Sequence, residues 1–189
     1  MSMFALLIAG IVFVAVSFIV VYNGLVSKRV SVENAWSQID VQLKRRYDLI
    51  PNLVETVKGY ATHEKQTLEL VIKARNSAMT LADNSVSEKA VAEGALSSAL
   101  KQVFALAESY PDLKANQNFS QLQEELASTE NRIGFARQHY NDSVALYNSA
   151  CQQIPGNIVK GFGSFPAKSF FELDASEKLA AKVAPKVSF

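Results

Sequence analysis

The chain has 189 residues, with 19 Lys and Arg against 18 Asp and Glu and a formal net charge of +1. That length allows one domain and an anchor but not two large domains, and a charge so near zero gives no support to nucleic acid as a partner. A single cysteine, Cys151, excludes an internal disulfide framework and a cysteine-cluster zinc site; it reads as a small apolar residue on a helix.

Residues 1–27 carry no charged side chain, and Phe4 to Tyr22 is apolar apart from Ser17. As a helix this stretch is about 28 Å long, the thickness of the hydrocarbon core, so a single transmembrane anchor is expected. A cleaved signal peptide would need a basic start, a shorter apolar core and a small-residue cleavage site. Here no Lys or Arg precedes the run, which leaves through Tyr22-Asn23-Gly24-Leu25. Lys28 and Arg29 follow at once. The positive-inside rule then puts the short N-terminus outside and the body in the cytoplasm, with a periplasmic body as the alternative.

From Val32 the seam runs in steps of four and three: Val32, Trp36, Ile39, Leu43, Arg46, Ile50, Leu53, Val57, Tyr60, Glu64, Thr67, Val71, Ala74, Ala78, Leu81. The register passes through Pro51, which predicts one helix over about 28–82 kinked there; its missing amide frees the Tyr47 carbonyl. The rival reading ends a helix near Asp48 and puts Pro51 in the first turn of the next. Arg46, Glu64 and Thr67 are polar at seam positions, where such residues set register or subunit number, unless the seam widens and lets them reach water. Asp83-Asn84-Ser85 closes this segment, and Ser87 is a suitable N-cap. A helix over about 88–109 follows, with Ala92, Leu96, Leu100, Val103, Ala107 and Tyr110 in register. A third, over about 118–154, opens on Asn118 with Gln121 as a capping box and runs from Phe119 to Ile154 in strict three-four spacing. In residues 155–189 Gly161, Gly163 and Pro166 alternate with Phe162, Phe165, Phe170 and Phe171, which predicts an irregular strap that lays aromatics into a groove of its own bundle or of a neighbouring subunit. Asp174 to Val183 suits a short helix, with Pro185 and Phe189 loosely held.

The fold class is therefore all-α: an N-terminal transmembrane helix (1–27, span about 4–22) continuing into an antiparallel long-helix bundle or coiled coil (28–154), then a strap and tail. The first tract is longer than the helix that returns along it. Part of the apolar seam is then expected to stay uncovered, which is a reason to expect a homo-oligomer.

Chemistry is sparse. His63 and His139 lack the Glu-x-x-His and His-Glu-x-x-His settings of carboxylate-bridged and zinc centres and read as surface residues. There is no Gly-x-Ser-x-Gly elbow and no Walker-type loop, so no catalytic residue, cofactor, metal or small-molecule substrate is expected. The basic cluster Lys44-Arg45-Arg46 either touches anionic headgroups or pairs within the bundle. Lys44 lies 22 residues past Tyr22, about 33 Å along a straight helix and well beyond a Debye length, which favours pairing with Asp48, Glu124, Glu125 or Glu130. With Pro51, Glu64 and Arg132 these are the candidate structural and interaction positions.

The run Asn34-Ala35-Trp36, the stretch DVQLKRRYDLIPNLVETVKGYATHEK (Asp40 to Lys65), Ser109 to Asn141 and the pair Tyr147-Asn148 resemble the LemA family of bacterial membrane proteins. The resemblance covers nearly the whole chain. It implies a single-pass protein of the bacterial inner membrane with a short external N-terminus and a helical-bundle domain, and no established catalytic activity; no kinase signature is present. The family often has alanine where this chain has Tyr47, beside the basic cluster. Together these readings point to a non-enzymatic, membrane-anchored scaffold that self-associates, with the lipid bilayer and its own copies as partners. The alternative is an adaptor or accessory subunit of a membrane protease or transport complex, with a membrane protein as partner.

Overall fold

A computed structural model describes residues 3–61, 63–81 and 86–172. The described residues are all-α. The helices are α1 (Met3–Lys58), α2 (Lys65–Thr80), α3 (Val86–Ala107), α4 (Pro111–Lys114), α5 (Gln117–Gln152) and α6 (Gly156–Val159), followed by a 3-10 turn at Lys160–Phe162. The expected Asp174–Val183 helix, the Pro185 and Phe189 tail and the Asp83-Asn84-Ser85 boundary lie outside the described residues.

One expected long helix is two. Pro51 sits inside α1, which stops only at Lys58. Gly59 follows, and the amides of Tyr60 and Ala61 both donate to the Val57 carbonyl, turning the chain. Proline is tolerated because its loss is made good from outside the helix. The Tyr47 carbonyl, which a residue with an amide at position 51 would satisfy, accepts instead from Arg75 Nε on α2 at 2.8 Å. A helix running straight on to about 82 could not bring Arg75 back to Tyr47.

By compactness the chain forms two units. Among the described residues one unit joins the chain from Met3 to Gln38 with Ala136–Ser169; the other is Ile39–Phe135 with Phe170, Phe171 and Glu172. The reason is length: α1 and α5 each contribute to both.

In the Ile39–Phe135 unit, α2 folds back on α1, α3 returns beside it, and α5 runs back again. Leu43, Ile50, Leu53, Val57, Val71, Leu96 and Val103 are buried between them. Each such side chain contributes about 1.5–3 kcal/mol of transfer free energy, which is what holds helices of modest propensity together. Pro111 opens α4 at N1, where its missing amide costs nothing, and Leu113 is fully buried. The cap of α5 is Asn116, whose Oδ1 accepts from the Phe119 amide at 3.0 Å; the expected capping position, Asn118, is already helical.

In the other unit, Trp36 of α1 meets Tyr140 of α5 edge to face, with centroids 5.3 Å apart. Leu25, Val32, Ala35, Val144, Tyr147 and Cys151 are buried. After α5 the chain turns through Gly156, where a Cβ would stand 2.0 Å from the Ala150 carbonyl oxygen, so only glycine fits. The strap then returns in extended form along α5 of its own chain. Tyr147 Oη donates to the Pro166 carbonyl at 3.0 Å, and Tyr140 Oη to that of Ser169 at 2.9 Å. Asn148 donates to the Lys168 carbonyl at 2.9 Å and accepts its amide at 3.0 Å. Of the four phenylalanines expected to fill a groove, Phe165 and Phe171 are buried while Phe162 and Phe170 are exposed.

Candidate functional site

The polar seam position Arg46 is 1 % exposed, as deeply buried as the leucines around it. An arginine at such a place must find its counter-charges inside the bundle, because the desolvation cost is several kcal/mol and the group does not deprotonate. It finds them on two helices. Its Nη2 pairs with Glu93 Oε2 on α3, and its Nη1 donates to Glu130 Oε2 on α5 at 2.5 Å and to Ser97 Oγ at 2.9 Å. Ser97 in turn donates to Glu130 Oε1 at 3.1 Å. The second Glu93 oxygen accepts from the Tyr47 hydroxyl. Burial first, then the adjoining Glu93 carboxylate, pushes the Tyr47 hydroxyl far above the ordinary tyrosine range. One turn away Lys89, also buried, pairs with Asp40 at 2.9 Å.

The other candidate positions go elsewhere. Lys44 pairs with Asp48 at 3.0 Å in an exposed i, i+4 bridge, and Arg45 reaches Glu125 at 3.8 Å with both side chains partly in water. Glu64 is half-buried and accepts from Tyr110 Oη at 3.4 Å. Glu124 and Arg132 are exposed on α5. Glu124, Glu125 and Glu130 therefore do not converge, and among the described residues no three His, Cys, Asp or Glu side chains are grouped to hold a metal ion. His63 and His139 are exposed. Two shallow grooves of about 450 and 520 Å³ lie elsewhere, the first along α2 by Glu69, Lys73 and Asn76, the second by Tyr60, Asp112 and Asn116.

Sequence reading missed Glu93, Lys89, Ser97, Asp40 and Arg75. A signal existed for two of them. Counting back from Ala107 in strict alternation gives Val103, Leu100, Leu96, Glu93 and Lys89; choosing the apolar Ala92 instead broke the alternation and hid the charged pair. Ala92 is half-buried, whereas Glu93 is 4 % exposed.

The arrangement is all-α, and α1 opens on an exposed apolar run long enough to cross a membrane. A profile of the LemA family matches residues 35–189. The chain belongs to the LemA family. Magnetosome protein MamQ of Magnetospirillum gryphiswaldense is 22% identical over 89% of this chain and 71% of its own length. Magnetosome protein MamQ 2 of Paramagnetospirillum magneticum is 23% identical over 80% of this chain and 64% of its own. Protein LemA of Metamycoplasma hominis is 26% identical over 72% of this chain and 62% of its own. The last two alignments thus span less than two thirds of those relatives. The stretches that carry the LemA resemblance supply Asp40, Arg46, Tyr47 and Glu130 to the polar cluster, and Tyr147 and Asn148 to the contacts that hold the strap. The N-terminal apolar helix and the LemA relatives together indicate a membrane-anchored protein.

Proposed function

We propose that this LemA-family protein is a non-enzymatic helical scaffold, anchored in the bacterial inner membrane by α1, with its body in the cytoplasm and copies of itself as partners. The observation that carries the reading is the use to which the buried polar groups are put. Arg46, Glu93 and Tyr47 bind one another inside the bundle and the part-exposed Glu130 adds a second carboxylate, which is how side chains fix helix register. Lys28 and Arg29, next to the apolar run, support the cytoplasmic orientation.

Self-association has a different footing from the one read in the sequence. The seam from Val32 to Val57 is filled within the chain, apart from the half-buried Trp36. What supports self-association is the apolar face of α1 and exposed side chains such as Phe135, 73 % exposed. The test is the mass of the full chain in lipid nanodiscs of several sizes, read by mass photometry. More than one copy per disc, in excess of random loading, is expected. One copy per disc at all loadings ends the self-association part and favours the adaptor reading.

A further inference from the structure

We infer that the segment from Ile154 to Phe165 is a second membrane-contacting surface, whose Ile154, Ile158 and Phe162 side chains lie in the headgroup and upper acyl region of the leaflet through which α1 leaves the bilayer. The inference rests on the anchor reading of α1 and adds to it a site outside the apolar run.

These three side chains follow one another at steps of four and are 79 %, 61 % and 73 % exposed. Single exposed apolar side chains are ordinary on protein surfaces; three large ones within nine residues, one in the turn before α6, one in α6 and one in the 3-10 turn, form a patch. The opposite side of the same segment is fastened down. Gly156, Val159 and Phe165 are buried, and the Gly156 backbone comes close to Ala150 and to the Leu25 side chain.

The contacts with α1 set the depth. Phe162 packs edge to face on Phe18, with centroids 5.3 Å apart, and Phe165 packs likewise on Tyr22 at 5.3 Å. Arg29 closes the upper end, its guanidinium 5.6 Å over the Phe165 ring and its Nη1 donating to the Ser164 carbonyl at 3.2 Å. Phe18 precedes Tyr22 by four residues, about 6 Å of helix rise below the end of the apolar run. A side chain packed against Phe18 and open to the surroundings therefore stands at a depth of about 5–10 Å, where interfacial segments bury their apolar faces. Lys160 and Lys28, both exposed, are placed to reach anionic headgroups by extending their stems along the apolar surface.

The experiment uses the full chain in phosphatidylcholine–phosphatidylglycerol vesicles, with buried Cys151 replaced by serine. An environment-sensitive fluorophore is attached to cysteine at one position at a time: Ile158→Cys or Phe162→Cys for the proposed surface, Val12→Cys for the anchor, and Ser128→Cys for a water-exposed reference. Quenching is read with lipids spin-labelled near the headgroup end or near the methyl end of the acyl chain. The expected result is blue-shifted emission at 158 and 162, quenched more by the shallow label, with Val12 quenched more by the deep one. Emission at 158 and 162 matching that at 128, while Val12 remains deeply quenched, overturns the inference and leaves the anchor standing. Absence of deep quenching at Val12 overturns both.

Discussion

The two compact units solve the problem of buried polar groups in different ways. In the Ile39–Phe135 unit a guanidinium on α1 is buried, and the carboxylates that neutralise it come from α3 and α5. In the unit that joins α1 up to Gln38 with Ala136–Ser169, two helix segments and a strap share the work. There, neutral tyrosine and asparagine side chains satisfy the backbone of an extended segment. A charge can be held only where it is walled in by several elements that each supply a partner. An extended segment laid on a helix has free backbone groups along its length, and amide and hydroxyl side chains suit them without the cost of burying an ion.

The largest expected effect breaks the charged unit. Arg46→Leu leaves Glu93 buried without its counter-ion and should cost about 3–5 kcal/mol in guanidinium unfolding of the full chain in detergent. The double variant Arg46→Leu with Glu93→Gln should recover a substantial part of that loss. A single variant as stable as wild type would show that the pair contributes nothing. Next is the proline repair: Arg75→Ala should cost about 1–3 kcal/mol by stranding the Tyr47 carbonyl. With Pro51→Ala as the background the restored amide takes Arg75's place, and the same change should cost clearly less. Equal losses in both backgrounds would sink the coupling.

A third prediction concerns pH. The Tyr47 hydroxyl is held protonated in the folded chain far above its unfolded value of 10.0. Its stabilisation is full below that pH. Above it, the unfolded chain releases the proton and the folded chain does not, so stability falls by about 1.4 kcal/mol per pH unit until the folded group also titrates. Tyr47→Phe should remove that share of the slope, read from urea midpoints on either side of pH 10. The smallest effect sharpens the comparison from the neutral side. Asn148→Ala removes both hydrogen bonds to Lys168 and should cost about 1 kcal/mol globally. Amide exchange should rise at residues 166–169 while the Leu96–Val103 amides stay protected.

Periodicity carried much of this fold into view. The all-α class, the apolar run, the α1 seam and most of α5 follow from which positions are apolar, because a helix repeats every 3.6 residues whatever it packs against. Arg46 was conspicuous as a charge at a seam position, and Glu130 was among its expected partners. Asp48 and Glu125 were expected partners of the same basic cluster, and they pair with its exposed members Lys44 and Arg45. The break after Lys58 was less legible, since the seam spacing passes through Gly59 and Tyr60 without a slip.

What the sequence determined by itself is local: which stretches are helical, which face of each is apolar, that one stretch is of membrane length, and that a proline leaves the Tyr47 carbonyl free. Tertiary structure alone decided who answers these local demands. Arg75 replaces the missing amide across a turn, Glu93 meets Arg46 from 47 residues away, and Tyr147 and Asn148 hold the strap. Hydrogen bonds and ion pairs act over about 3 Å, so which partners meet between different helices depends on how the chain reverses.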